Sequence, residues 1–94
     1  EDEHVVAFKD INPQAPVHLL VIPKRHIPRI GDITESDKET LFYLIQASTE
    51  LAQKFGIAEE GYRVVMNSGD NGGQTVYHLH AHVMGGRFMR WPPG

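Results

Sequence analysis

Cysteine is absent from the 94 residues, which excludes disulfides and thiolate metal centres and leaves histidines and carboxylates as the only strong metal ligands. Also missing is any apolar run near the roughly 18 residues that a membrane-spanning helix needs, and the opening EDEHVVAFKD lacks a signal-peptide layout. No membrane partner is expected. The nine Lys and Arg residues are scattered from Lys9 to Arg90 with no basic stripe, and the net charge is -3, so nucleic acid is not an expected partner either. A small anionic ligand needs only local donors and stays open. There is no internal repeat, linker or low-complexity segment, and the length suits a single domain whose modest core self-association would help.

What is there reads as strands around one helix. HVVAFKD (residues 4–10) has the β-branched, apolar character of a short strand, INPQAP carries turn chemistry, and VHLLVIPK (17–24) is apolar enough for a central strand. The short connection predicts an antiparallel pair. Pro28 and Gly31 mark a loop. From Thr34 the period changes: TESD offers a capping box with Asp37 in the usual Glu position, Leu41, Leu44, Ile45, Ser48, Leu51, Ala52 and Phe55 recur at helical spacing, and Gly56 supplies the stop. GYRVVMNSG (61–69) predicts a third strand and TVYHLHAHVM (75–84) a fourth, with a glycine-rich connection between them. The helix must cover one face of the sheet, which makes the fold α+β with two layers.

In the last strand, strict alternation puts Tyr77, Leu79, Ala81 and Val83 on a core side and His78, His80 and His82 on the other. One such histidine is ordinarily a solvated strand residue. Three in alternation repel one another if all are charged, so neutral and protonated imidazoles are expected side by side, a nucleophile beside an acid. Read as a chelate, the spacing suits two ligands better than three, because the outer pair is about 13 Å apart along an extended strand. A metal would need further ligands from His18, His26 or Asp10. The preceding SGDNGG favours a phosphate instead, since glycine-rich turns can aim backbone N–H groups at one anion, with Asn67 and Thr75 as further donors. Alone, that loop reads as a long hairpin connection. Joined to an imidazole, which can form a covalent phosphoryl or nucleotidyl intermediate, it becomes coherent chemistry.

HLHAHVM resembles the His-φ-His-φ-His-φ-φ signature of the histidine triad (HIT) superfamily. DINPQAPVHLLVIPKRHI, GYRVVMNSGDNGGQTVYHLHAHVMGGR and the terminal WPPG resemble its Hint branch of nucleotide-binding proteins, so the likeness spans nearly the whole chain. It implies a single HIT domain over residues 1–94, with a sheet of about five strands whose first lies outside this sequence, and a homodimer in which two sheets join. It implies a hydrolase, without cofactor or metal, that cleaves the P–N bond of purine nucleoside 5′-phosphoramidates. In that pattern His80 attacks the α-phosphorus, His82 contacts phosphate oxygens and shares proton transfer, His78 orients His80 chiefly through its backbone carbonyl, and His18 is the fourth histidine. Asp10 receives the ribose hydroxyls, Phe8, Ile11 and Leu20 wall the base pocket, and Asn67, Gly73, Gln74, Thr75 and Val76 surround the phosphate and leaving group. Trp91 borders the partner subunit's pocket. Without the resemblance, Phe8, Ile11 and Leu20 read as core and Asp10 as a turn residue.

Thr75 stands where the Hint pattern has serine, which keeps the hydroxyl and restricts its rotamer. Two other activities fit the same residues: a dinucleoside polyphosphate hydrolase or nucleotidyltransferase of the superfamily, and a zinc-binding or adaptor protein using the histidines structurally. The resemblance implies a cytoplasmic location, extending to the nucleus in a eukaryote.

Overall fold

The computed structural model describes residues 2–94. Two β-rich segments form β1 (Val5–Lys9) and β2 (Val17–Pro23), paired antiparallel as the short proline-bearing turn requires. After a loop and two short 3₁₀ turns, α1 (Lys38–Lys54) crosses the sheet, and β3 (Tyr62–Val65) and β4 (Ala81–Gly85) complete it in the order β1-β2-β4-β3, antiparallel throughout. The two-layer α+β fold expected from the sequence is present, with four strands and one main helix.

The helix boundaries follow from local chemistry. Asp37 accepts a hydrogen bond from the Thr34 N–H at 2.9 Å, the reach-back half of the expected capping box. The same buried carboxylate meets Arg25 Nε at 3.0 Å, which ties the loop after β2 to the helix start. At the other end the Ile57 N–H bonds to Ala52 O and the Gly56 N–H to Gln53 O, a Schellman stop that needs the left-handed Gly56, φ 75°. Leu44, Ser48 and Ala52 are the buried helix residues, and Leu44 and Ala52 share one core with Leu19, Val21, Ala81 and Val83 of the central strands.

Cross-strand partners share a face. Leu19 faces Val83 and Val21 faces Ala81 on the helix side, so the opposite side carries the row Phe8, Leu20, His82 and Val65. Beside it runs His18, Met84 and Arg63. No described helix is long and apolar enough to cross a membrane.

The last strand is a correction. It begins at Ala81, not Thr75, so His78 and His80 lie outside the sheet and only His82 is a strand residue. Residues 76–80 hang instead on a nonlocal bond, Leu79 N–H to Ile27 O at 2.6 Å. Alternation fails there accordingly: Leu79 is core, but Tyr77, expected beside it, is exposed.

Candidate active site

The rings of His18, His82 and His80 meet at the junction of β2, β4 and the segment that leads into β4, with the His78 carbonyl beside them, and main-chain atoms decide where the protons of His18 and His80 sit. His80 Nδ1 lies 2.8 Å from the His78 carbonyl. A carbonyl can only accept, so Nδ1 holds the proton and Nε2 carries a free lone pair, as a nucleophile requires. His18 Nδ1 accepts the Gln14 N–H at 3.0 Å, so its proton sits on Nε2, 3.0 Å from His82 Nδ1 and 3.5 Å from Asp10 Oδ2. His82 therefore accepts at Nδ1 and keeps a donor at Nε2. Burial pushes the His82 pKa down, and the neighbouring His80 and His18 push it the same way, against an opposing pull from Asp10. The three lowering causes all disfavour the charged form of His82 relative to an ordinary imidazole.

His78 is the hub of a second pair. Its Nε2–H donates to Pro23 O at 2.8 Å, and its Nδ1 faces Nδ1 of the exposed His26 at 3.3 Å. The sequence reading named His26 only as a spare metal ligand, because nothing local shows that the loop after β2 returns to the histidine segment.

Asp10 uses its two carboxylate oxygens differently. Oδ1 accepts the Asn12 N–H at 2.8 Å as a turn residue does, while Oδ2 points toward His18. Phe8 and Leu20 share the open face with His82 and are incompletely buried. Ile11 is fully exposed and Trp91 is 82% exposed in the single chain. Asn67 faces the glycine loop: a Cβ added to Gly73 would stand 3.9 Å from its Nδ2. Thr75 and Val76 are exposed. Gln74, expected at the phosphate, is 4% exposed, with its amide engaged inside the protein. A cleft of about 180 Å³ reaches the edge of this cluster, lined by Asp10 and His18 together with Lys9, Pro13, Leu19 and Phe55.

Asp10, His18 and His82 are the one group of three metal-type ligands close together among the described residues. Their protonation opposes a metal. A ligating histidine ordinarily donates from its other nitrogen, whereas His18 accepts there from Gln14 and has its only proton on the nitrogen facing the group.

Residues 1–89 match the HIT domain. The chain belongs to the HIT domain family. Its HIT fold superimposes on the crystal structure of a HIT family hydrolase from Legionella pneumophila with TM-score 0.98 and 52% identity, covering 100% of this chain and 84% of that one. A histidine triad nucleotide-binding protein from Candida albicans matches with TM-score 0.79 and 28% identity, over 98% of this HIT chain and 71% of the other. Among sequences, a protein of Zea mays called a 14 kDa zinc-binding protein is 50% identical over 96 residues, covering 100% of this chain and 74% of its own.

Proposed function

We infer that this HIT protein is a nucleotide-binding hydrolase of the Hint branch, cleaving the P–N bond of purine nucleoside 5′-phosphoramidates. The observation that carries the reading is the His80 tautomer: a lone pair on Nε2, with the Nδ1 proton held by the His78 carbonyl. The hydrolase and nucleotide-binding relatives support it. Nε2 attacks the α-phosphorus as the P–N bond breaks, and the departing amine takes up a proton. Positive charge that develops on the His80 ring is stabilised through Nδ1–H and the carbonyl. The Nε2–H of His82 is the donor available for a phosphoryl oxygen or the leaving nitrogen. Water then attacks the same phosphorus as the His80 Nε2–P bond breaks, and the proton it loses replaces the one the amine took, so that the nucleoside monophosphate leaves and His80 returns to its starting form. Asp10 takes the ribose hydroxyls, Phe8, Leu20 and Ile11 take the base, and Asn67, Gly73, Thr75 and Val76 take the phosphate and leaving group.

A fluorogenic adenosine phosphoramidate tests this directly. His80→Ala should lower turnover by about 10³-fold or more, and mass spectrometry of a slow variant should show a nucleotidyl adduct on His80. Equal turnover by His80→Ala would overturn the mechanism. Faster cleavage of diadenosine polyphosphates than of phosphoramidates would place the chain in the sister activity of the superfamily.

One observation favours a second, structural reading. His26 and His78 present Nδ1 atoms 3.3 Å apart, and His78 donates its other N–H to a carbonyl, the outer-shell pattern of a ligating histidine. Two nitrogens of one tetrahedral zinc at 2.0–2.1 Å stand about 3.3–3.4 Å apart. Zinc there would clamp the loop after β2 to the histidine segment, in keeping with the name of the maize relative. Elemental analysis of wild type and His26→Ala decides: zinc in neither removes this reading and leaves the hydrolase untouched.

A further inference from the structure

We propose that Gln74 is a positioning residue that welds the glycine loop to the two segments bearing His26 and His78, and so aims the loop's phosphate donors at His80; this rests on the nucleotide reading above. The loop turns on itself, with the Gly72 N–H bonded to Gly69 O, Gly73 to Asp70 O and Gln74 to Gly69 O, and with left-handed backbone at Gly69 and Gly73, φ 80° and 87°. Such a loop is glycine-rich and intrinsically loose. Gln74 fixes it from inside. Its Oε1 accepts the Gly69 N–H at 2.9 Å, and its Nε2 donates to Pro28 O at 2.7 Å and Val76 O at 3.0 Å. One buried amide thus joins the entry of the loop, its exit and the segment after β2. Pro28 and Val76 each lie two residues from a histidine of the His26–His78 pair, and Leu79 N–H to Ile27 O extends the same seam toward His80.

Burial makes this amide hard to replace. Among the described residues no buried side-chain N or O lacks a partner, and removing the Gln74 amide would take away the partner of one N–H and two carbonyls, all in part-buried bonds. Another tie of the loop, the Tyr77 hydroxyl to Asp70, is exposed to water. A displacement of about 1 Å in the donors facing a reacting phosphate costs on the order of 10²-fold in rate.

The test compares wild type, Gln74→Met and Tyr77→Phe for affinity toward adenosine monophosphate and adenosine, with circular dichroism to confirm folding. Gln74→Met should lose at least about tenfold of the preference for monophosphate over adenosine, with adenosine affinity within twofold of wild type, and Tyr77→Phe should keep the preference. A folded Gln74→Met with undiminished preference overturns the proposal. A readout needing no substitution is hydrogen exchange in wild type: the Gly69 amide should exchange about 100-fold or more slowly than an exposed loop amide. Fast exchange there also overturns it. If wild type itself shows no preference for the monophosphate while the Gly69 amide is protected, the nucleotide reading fails and the weld stands as a structural device.

Discussion

His82 shows how a single imbalance in an imidazole reaches the whole folding equilibrium. Its folded pKa lies below the ordinary value of about 6.5, because burial first, and His80 and His18 second, disfavour the cation. On acidification the unfolded chain binds that proton before the folded one does, so stability is complete above about 6.5 and falls as the pH drops toward the folded value. Urea midpoints at pH 7.5 and 5.5 should show this loss in wild type and a smaller one in His82→Gln. At this scale the sequence was informative about identity and poor about partners. Alternation correctly put His82 opposite the helix, and the family pattern chose His80 and His18. It could not show that Gln74 is buried, because its three partners come from residues 28, 69 and 76, and side-chain type alone favours a polar residue at the surface.

At the level of elements, the helix was the most legible part. Its capping residue and stop glycine are local and the structure uses both, while of the expected stripe Leu44, Ser48 and Ala52 are buried and Ile45 is exposed. Asp37 does more than cap, since it also pairs with Arg25. Asp37→Ala should therefore lower stability by about 1–3 kcal/mol, beyond a surface cap alone, as read from denaturant midpoints. Asp37→Asn, which keeps an acceptor for the Thr34 N–H but not the ion pair, should fall between. The fourth strand was overextended by the same logic that served the helix. Periodicity describes which way side chains point if a segment is a strand, and residues 76–80 are diverted from the sheet by pairing with Ile27. That diversion depends on tertiary packing, which a window of sequence does not contain.

For the molecule as a whole, the core is thin. Leu44 is fully buried between helix and sheet, and Leu44→Ala should cost about 2–5 kcal/mol, a large share of what a domain of this size possesses. Phe42 and Ile45 of α1, with Phe88 and Trp91, are exposed apolar residues, and we propose for this chain the homodimer that its resemblance implies. Sedimentation at micromolar concentration should show two chains together. Trp91→Ala should change turnover without changing the fold if the tail borders the partner subunit's pocket, and a monomeric, fully active protein would end that proposal.

The three proton positions that define the chemistry, on His80, His78 and His18, are set by the His78 carbonyl, the Pro23 carbonyl and the Gln14 amide. Backbone atoms survive almost any change of side chain, so this site is insulated against mutation at the residues that tune it. Gln14→Ala should leave phosphoramidate turnover close to wild type. Proline at position 14, by deleting the N–H that His18 accepts, should depress it.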